Sequence, residues 1–446
     1  LTADTAFQTL AKAVTAARSG DTVWALPGTY AKGYGDADKT KTRSRVHIPA
    51  YVTLRSTEGA AKTTIAGEAP TAGGDFGNGA TRGALLEPYA TLVGFTVTGG
   101  YVHTDDDDRF FAESAGGGVR GFEGSAAIDC VFTGNTARRG GGAYGGSYVR
   151  CAFAANRATI GQWSGPDVFG ILSDDVANKR NSRTRCFDCL FTDETEGYNH
   201  VYHSALLYNC TFTSAKRGGP QLQCQMYNCL LRTKVGLTGA DQVFDHCVLA
   251  MTPSFTTGSM TDCEVASLDA ALDEDYRPKA GCAAIDRGVY ETYLTAWDEA
   301  GLSHDYLGRD FKGGQRVYGG QIDAGCGEHD LRADVSAAFR RVTVREMSAG
   351  VTLAGGRPQL HDGESLSLDW KLDGRGGFVE CALEGTGALT VYSGETPLVT
   401  LTATGTAAIP AGLASADLRF AFASAEGGTA TVQAMRRDCG TLLIVR

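Results

Sequence analysis

The 446-residue sequence lacks the features that define several protein classes. Proline is scarce (11 residues) although glycine is abundant (59), so the chain is neither collagen-like nor a disordered Pro/Gly tract. No apolar run approaches the roughly 18 residues that span a membrane. The N-terminus has no charged segment followed by an apolar one, and for a secreted chain we expect the signal peptide to have been removed.

An excess of positive charge is also missing. The net charge is −10, which disfavours non-specific binding to nucleic acid or to an anionic membrane. The length exceeds the roughly 250–300 residues at which a single core stops growing, so we expect an elongated domain followed by a smaller one.

The middle of the chain carries a repeat. Short apolar segments recur around seven cysteines whose numbers differ by 21, 38, 21, 19, 18 and 16: Cys130, Cys151, Cys189, Cys210, Cys229, Cys247 and Cys263. We interpret the spacing of 38 as two coils, one of which has lost its cysteine. A period near 20 with glycine turns predicts a parallel β-solenoid, whose coils bury their inner faces by stacking.

Each repeat has an inner and an outer side. In segments such as CVF and CTF the cysteine and the phenylalanine lie two residues apart, so both should face the interior. The polar residue before each cysteine should point outward or cap a turn. Earlier coils show the same pattern without cysteine in residues 46–56, 62–68 and 90–100, and residues 7–17 have the apolar spacing of a helix that covers the end of the solenoid.

The pattern changes near residues 331–341. About eight alternating segments follow, from VTVREM to GTLLIVR, and they predict an antiparallel β-sandwich. The predicted fold is therefore all-β, with a β-helix domain over 1–332 that begins with a capping helix, and a β-sandwich domain over 333–446.

The cysteines outside the repeat leave alternatives open. Cys186 and Cys189 form one CxxC without a clear second pair, which argues against a zinc site. Cys381 with Cys439, and Cys282 with Cys326, are possible disulfides that spacing alone does not decide.

Several stretches resemble one superfamily. GDTVWALPGTY (20–30), the coils of residues 127–159, and the closing pattern AIDRG (284–288), DYLGRD (305–310) and QIDAGCGE (321–328) resemble bacterial secreted proteins of the pectate-lyase-like right-handed parallel β-helix superfamily, of the choice-of-anchor Q type. The resemblance spans about residues 7–330 and implies the fold. It leaves the activity open, because the superfamily includes polysaccharide lyases, glycoside hydrolases, esterases and non-catalytic surface proteins.

Chemistry is expected on the strand that precedes each rung. Tyr144 and His203 fall seven residues before their cysteines, whereas Gln221 and Gln223 fall eight and six before Cys229. With Arg120 and Phe122 from an earlier coil they would form a surface that suits sugar rings, their hydroxyl groups and their carboxylates. The alternative is that they are ordinary exposed side chains of a sheet.

Two insertions offer further candidates. Asp105, Asp106, Asp107 and Asp108 are consecutive and would be relieved of mutual repulsion by Ca²⁺, although their spacing matches no known calcium loop and a solvated loop is the alternative. The insertion at 160–186 contains Trp163, a candidate platform for a sugar ring or a plug at the end of a coil.

The stretch before Cys210 supplies the candidate catalytic groups. His200, Tyr202 and His203 could act as acid and base in a β-elimination, with Lys216 and Arg217 neutralising a uronate carboxylate and Tyr198 beside them. A hydrolase would need two carboxylates, and these could come from Asp174, Asp175, Asp193, Glu194 or Glu196. Between Arg138 and Arg217 there are ten Lys or Arg against seven Asp or Glu, which could attract an anionic glycan.

These observations predict a monomeric extracellular or cell-surface protein that binds or cleaves polysaccharide, with a lyase favoured slightly over a glycoside hydrolase. The competing hypothesis is a non-catalytic adhesin or scaffold whose solenoid holds the sandwich away from the cell. In the sandwich, Trp370 and Tyr392 are candidate sugar platforms, but their alternating strands favour packing in the core.

Overall fold

The computed structural model describes two compact units. It describes residues 6–35, 43–71, 79–102, 115–159, 165–170, 184–192, 200–214, 218–232, 238–255, 257–269, 271–317, 321–330, 332, 334, 339, 342–348, 350–354, 357–372, 377–409, 415–424 and 427–437. The first unit comprises Leu1–Gly314 and Asp323–Glu328, and the second comprises Gln315–Ile322 and His329–Arg446. Among the described helices none is long and apolar enough to cross a membrane.

The first unit consists of short strands and two α-helices. Helix α1 is Leu10–Ala16 and α2 is Tyr290–Glu299, with a 3₁₀ turn at His304–Tyr306. The strands, in chain order, are β1 (Thr22–Ala25), β2 (Gly28–Tyr30), β3 (Arg43–Ile48), β4 (Thr53–Ser56), β5 (Thr63–Ala66), β6 (Thr81–Leu86), β7 (Thr91–Val93), β8 (Thr96–Thr98), β9 (Val119–Gly121), β10 (Ala126–Ile128), β11 (Val131–Thr133), β12 (Thr136–Ala137), β13 (Ala143–Tyr144), β14 (Ser147–Val149), β15 (Ala152–Ala154), β16 (Arg157–Ala158), β17 (Val168–Phe169), β18 (Arg185–Phe187), β19 (Leu190–Phe191), β20 (Val201–Tyr202), β21 (Leu206–Tyr208), β22 (Thr211–Phe212), β23 (Gln225–Tyr227), β24 (Leu230–Leu231), β25 (Thr238–Gly239), β26 (Gln242–Asp245), β27 (Val248–Leu249), β28 (Ser254–Phe255), β29 (Gly258–Thr261) and β30 (Glu264–Val265).

Twenty-six of these strands form three long parallel sheets that confirm the predicted right-handed β-helix, and the others form two short parallel pairs, β12 with β16 and β25 with β28. Sheet A contains β1, β4, β7, β10, β14, β18, β21, β23, β26 and β29, in that spatial order. Sheet B contains β2, β5, β8, β11, β15, β19, β22, β24, β27 and β30, and sheet C contains β3, β6, β9, β13, β17 and β20. Spatial order follows chain order throughout, as expected when each coil stacks on the one before it.

The residue before each rung cysteine forms the corner between sheets A and B. It adopts a left-handed conformation in all seven rungs, with φ between 47° and 54°: Asp129, Arg150, Asp188, Asn209, Asn228, His246 and Asp262. Asn and Asp tolerate this conformation better than other non-glycine residues, which explains their frequency here. These polar residues are therefore turn residues, as predicted.

The interior confirms the predicted Cys-x-Phe pattern. Cys210 and Phe212 are both fully buried, and the phenylalanines of four coils stack face to face in sheet B. Their ring centroids are 5.2 Å apart for Phe132 and Phe153, 5.1 Å for Phe153 and Phe191, and 4.4 Å for Phe191 and Phe212. The stacked phenylalanines are therefore part of the apolar core of the middle coils.

The interpretation of the 38-residue spacing as two coils is wrong. Ser147 of β14 pairs directly with Arg185 of β18, and Ala152 of β15 pairs with Leu190 of β19. Cys151 and Cys189 therefore belong to neighbouring coils, and the interval of 38 residues contains one coil. Strand register is set by the buried side chains, so loop length can grow without inserting a rung.

Helix α1 covers the first coil, as predicted. Thr9 caps it by accepting a hydrogen bond from the Lys12 backbone N–H (3.3 Å), and Leu10 and Val14 are buried against the solenoid interior. The helix thereby shields the apolar face of the first described coil.

The chain after the last coil runs back over the corner residues. The Tyr293 hydroxyl in α2 donates to Asp188 Oδ2 (2.6 Å), and Arg150 Nη1 donates to the Tyr306 carbonyl (2.6 Å). Asn209 Nδ2 donates to the Asp323 carbonyl (3.1 Å). These bonds fasten residues 293–306 and Asp323 along the side of the solenoid, over three of the polar corner residues.

A chain of polar side chains crosses the interior between coils. Asn135 Nδ2 donates to Asn156 Oδ1 (3.1 Å), and Asn156 Nδ2 donates to Asp167 Oδ1 (2.9 Å). Asp167 Oδ2 lies 2.5 Å from His200 Nδ1. All four side chains are buried, with 0–1 % exposure. Burial of polar groups is tolerated because each is hydrogen-bonded to the next.

The second unit contains ten described antiparallel strands in two five-stranded sheets. They are β31 (Val342–Met347), β32 (Thr352–Ala354), β33 (Arg357–Leu360), β34 (Ser365–Lys371), β35 (Gly377–Glu384), β36 (Ala388–Ser393), β37 (Thr396–Leu401), β38 (Gly405–Ile409), β39 (Ser415–Ala423) and β40 (Thr429–Arg437). The sheet orders are β31-β34-β39-β36-β37 and β32-β33-β40-β35-β38, and both sheets contribute to one apolar cluster. The predicted β-sandwich is confirmed, while its predicted last strand at 440–446 lies outside the described residues.

Shortening one phenylalanine of the interior stack should destabilise the β-helix. Phe191 lies between two other rings, so Phe191→Ala removes both stacking contacts and leaves a cavity, which costs about 3–5 kcal/mol. Thr133→Ala on the outer side of β11 is the control and should change stability by less than about 0.5 kcal/mol. Urea unfolding of the full chain measures both, and equal midpoints for the two variants would contradict the assignment.

Removing the interior carboxylate should also destabilise the fold. Asp167→Ala leaves His200 Nδ1 and Asn156 Nδ2 without their partner in a buried site, a loss of about 3 kcal/mol. Asp167→Asn retains an acceptor for Asn156 and should be the milder change. Thermal unfolding of the two variants tests this, and a larger loss for Asn than for Ala would argue against the hydrogen-bonded chain.

Candidate functional site

A row of side chains from successive coils lies on the outer side of sheet C. In this outer row Arg120 pairs with Tyr144, Tyr144 with Phe169, and Phe169 with Tyr202. A further bridge joins Tyr202 to Gln221. Their neighbours Val119, Ala143, Val168 and Val201 face the interior. Strand alternation thus places the five outer residues on one line.

The outer row contains part of the predicted surface, in a different register. Arg120, Tyr144 and Gln221 align as expected, but Tyr202, not His203, is the partner in the coil of Cys210. The reason is the corner after sheet C, which has two residues before Ser147 but three before Leu206. Counting seven residues back from Cys210 therefore gives a position that is one residue too late in the chain.

Phe169 is a member of the row that sequence reasoning missed. Phe169 lies 20 residues before Cys189, so the cysteine that marks its coil is far from it in sequence. Its signal is the dipeptide Val168-Phe169, which repeats the apolar-aromatic pattern of Ala143-Tyr144 and Val201-Tyr202.

The aromatic members of the row form a continuous stack. Ring centroids are 6.1 Å apart for Tyr144 and Phe169, and 5.9 Å apart for Phe169 and Tyr202. The imidazole of His203 lies parallel to Phe169 at 5.5 Å. The three aromatic rings of the row are nearly buried, whereas His203, Gln221 and Gln223 are half-buried. The accessible part of this surface is therefore its end near residues 203–223.

Arginines flank the aromatic stack. The Arg139 guanidinium carbon lies 5.9 Å from the Phe169 ring centroid, and that of Arg120 lies 4.8 Å from Phe122. Arg138 and Arg139 are half-buried, and Arg157 is exposed. Arg139 therefore places one positive charge of the predicted basic region beside the outer row, where it favours anions.

His203 occupies a strained corner. His203 and Ser204 both have positive φ (68° and 52°), at the corner where the coil of Cys151 has Gly145 and Gly146 (68° and 72°). Bulky side chains in this conformation cost about 1–3 kcal/mol each and are found preferentially at functional sites. Gly170 supports the corner, because a Cβ there would lie 1.9 Å from the His203 carbonyl oxygen.

The surroundings of His203 and Tyr202 shift their protonation. Burial lowers the pKa of His203 below its usual 6.5; a hydrogen bond with the Gly170 backbone opposes this, and the charge of Arg139 adds to the lowering. Its Nδ1 has no hydrogen-bond partner among the described residues. Burial raises the pKa of Tyr202 above its usual 10.0. At neutral pH the imidazole is thus neutral and the phenol holds its proton.

His200 lies inside the solenoid and not on its surface. Its side chain is fully buried, with the rings of Phe191 and Phe212 at 6.0 and 5.9 Å and Asp167 at Nδ1. Sequence alone groups it with Tyr202 and His203, but the backbone turns between them. Its position assigns it to the polar chain of the interior.

Several predicted candidates lie outside the described residues. They are Asp105, Asp106, Asp107, Asp108, Trp163, Tyr198, Lys216 and Arg217, together with the carboxylates Asp174, Asp175, Asp193, Glu194 and Glu196. Gln223 is described, and its Oε1 accepts a hydrogen bond from Ser204 Oγ (3.1 Å). This bond links the two strained corners of neighbouring coils.

The acidic residues of the closing sequence pattern have structural partners. Asp310 Oδ1 accepts from the Gly314 backbone N–H (2.6 Å), and Asp323 Oδ1 accepts from that of Asp286 (2.8 Å). Glu328 accepts from the Asp323 backbone N–H at 3.2 Å. Within the described ranges no cluster of three or more His, Cys, Asp or Glu could hold a metal ion.

The remaining candidates are also placed. Cys186 and Cys189 are buried thiols, and Cys282 and Cys326 form no disulfide with each other. Cys381 is free, while Cys439 lies outside the described residues. Trp370 is buried in the sandwich core, and Arg419 lies over the Tyr392 ring at 4.1 Å.

Comparisons with known proteins add little. No protein-family model and no curated protein sequence matches the chain. Among solved structures it is similar to the tailspike protein gp49 from Acinetobacter baumannii bacteriophage Fri1, a capsular polysaccharide depolymerase, with 9 % identity over 94 % of this chain and 82 % of that one and a TM-score of 0.24. A score of this size carries no functional argument, and the β-helix is defined by the strand pairing described above.

Proposed function

We propose that the protein is an extracellular polysaccharide lyase that cleaves an acidic glycan by β-elimination at the accessible end of the outer row. The observation that carries this proposal is the position of His203. It is a neutral, half-buried imidazole on a strained corner, stacked on Phe169 and close enough to Arg139 for that charge to lower its pKa. Aromatic rings flanked by arginines suit the faces and the carboxylates of uronate rings.

The roles of the residues follow from their protonation. His203 takes the proton from C5 of the uronate, and the electron pair left on C5 forms the C4=C5 double bond. The bond between C4 and the glycosidic oxygen breaks, and that oxygen receives a proton from the Tyr202 hydroxyl. Arg139 neutralises the carboxylate that makes the C5 proton acidic. Lys216 and Arg217, the groups predicted for neutralisation, remain candidates for the same role.

The competing functions make different products. Incubation with acidic polysaccharides (polygalacturonate, alginate, hyaluronan) and neutral ones should raise the absorbance near 235 nm together with reducing ends on at least one acidic glycan. Reducing ends without absorbance would indicate a hydrolase. Absence of both on the whole panel would favour the non-catalytic scaffold.

Changing the two proposed acid and base groups should remove activity without unfolding the protein. His203→Ala should lower kcat by about 10²–10⁴-fold, and Tyr202→Phe, which keeps the stacked ring, should lower it by a similar factor. His203→Gly relieves the backbone strain and is the control for folding; it should be at least as stable as His203→Ala and equally inactive. An active, folded His203→Gly protein would exclude His203 as the base.

The rate should depend on pH in a defined way. The lowered pKa of His203 means that activity is lost only when the pH falls below 6.5. The raised pKa of Tyr202 means that its hydroxyl keeps the proton it donates until the pH rises above 10. We expect a plateau between these limits in kcat/KM. Tyr202→Phe should retain the acidic limb in its residual rate, whereas His203→Ala should lose it.

A further inference from the structure

A second corner of the solenoid carries an unusual pair of tyrosines. In eight coils, the residue two positions before the first paired residue of the sheet A strand has a left-handed backbone conformation. These positions are Gly20 (φ 91°), Tyr51 (61°), Tyr89 (63°), Gly124 (65°), Gly145 (68°), Ser204 (52°), Gln223 (57°) and Asp241 (54°). Glycine, Asp and small or polar residues prevail, and Tyr51 and Tyr89 are the aromatic exceptions.

The two tyrosine rings stack on each other and stay exposed. Their centroids are 4.9 Å apart with an angle of 12° between the planes, and the residues are 55 % and 45 % exposed. A bulky residue with positive φ is a conformational outlier. The sequence therefore retains two strained, solvent-exposed aromatic rings where glycine would relieve the strain.

Glycines frame the pair on both sides. A Cβ at Gly124 would lie 2.4 Å from Cδ1 of Tyr89, so the missing side chain is what allows that ring to lie against the next corner. At Gly20, the corner on the other side, a Cβ would have no atom within 4 Å. The pair is thus supported from one side and open on the side of Tyr51.

The charge around the pair distinguishes it from the outer row. Three carboxylates lie within two residues of a corner position: Asp21 after Gly20, Glu87 before Tyr89 and Glu123 before Gly124. Asp21 and Glu123 are exposed. Exposed carboxylates repel an anionic chain and accept hydrogen bonds from hydroxyl groups. The apolar face of a hexose packs on an aromatic ring, so the surroundings select a sugar without a negative charge.

We propose that the Tyr51–Tyr89 pair is a binding site for a neutral hexose-containing polysaccharide, separate from the outer row and independent of any cleavage there. The open ring of Tyr51 stacks on the sugar, and Tyr89 and Gly124 hold that ring in place. Such a site would keep the protein on a glycan surface whose acidic component the outer row engages.

Affinity electrophoresis of the full chain in gels containing galactomannan, mixed-linkage β-glucan or dextran tests the proposal, with polygalacturonate as the acidic comparison. At least one neutral glycan should retard the protein. Tyr51→Ala should weaken that binding about tenfold or more, and Tyr51→Phe should retain it. Tyr34→Ala is the matched control, because Tyr34 is also 55 % exposed but its ring is covered by Arg43 at 4.9 Å.

Several outcomes would overturn the site. These are no retardation by any neutral glycan, unchanged binding by Tyr51→Ala, or equal losses for Tyr34→Ala and Tyr51→Ala. Tyr51→Gly guards against misfolding, since glycine adopts this backbone without strain; it should melt no lower than Tyr51→Ala and still fail to bind. His203→Ala should bind neutral glycan normally, so failure of the lyase proposal and failure of this one are distinguishable.

Discussion

The solenoid depends on one backbone constraint, the left-handed residue between sheets A and B. With φ near 50° at this position, Asp129 and its six counterparts turn the chain by the same amount in every coil. The N–H of the corner residue then donates to the coil above, as Asn209 does to the Tyr227 carbonyl at 2.9 Å. Equal turns keep successive strands in register, and register in turn stacks the cysteines and phenylalanines inside.

Because the interior is fixed by this register, the outside is free to vary. Cys151 and Cys189 are 38 positions apart, yet β14 pairs directly with β18, as strands of ordinary coils do. The corner between sheets C and A also changes length by a residue without disturbing the stack. Variation in loops and corners, on a constant interior, is how such a scaffold brings His203 beside Phe169.

The features that could be predicted from the sequence are those that repeat. Cys210 and Phe212 reveal their burial because inward positions alternate, and Asn209 reveals a turn because Asn tolerates positive φ. The strands of the sandwich could be predicted because their apolar and polar residues also alternate. Features that occur once were missed: the true register of Tyr202, the row member Phe169, and the interior position of His200.

Contacts between residues far apart in sequence account for the other features that could not be predicted. Asn209 bonds to the Asp323 carbonyl across 114 residues, and the Tyr293 hydroxyl reaches Asp188 across 105. Asn209 and Asp188 belong to the repeat, but Asp323 and Tyr293 do not, so nothing local marks which residues they bond. The acidic closing pattern, which resembles a family signature, therefore has a mechanical explanation: its carboxylates hold backbone amides so that the returning chain covers the corners.

At the corners between sheets C and A, backbone strain distinguishes residues that suit the turn from residues that must be kept for another reason. Between sheets C and A, glycine at Gly124 and Gly145 meets the turn without strain, so any bulky replacement requires another reason to persist. At Tyr51 and Tyr89 the replacement exposes two stacked rings, and at His203 it sets a neutral imidazole against Phe169. Folding alone would favour glycine at these three positions. In the two proposals above, these side chains contact ligands outside the fold: a neutral glycan at Tyr51, near carboxylates, and an acidic glycan at His203, near Arg139.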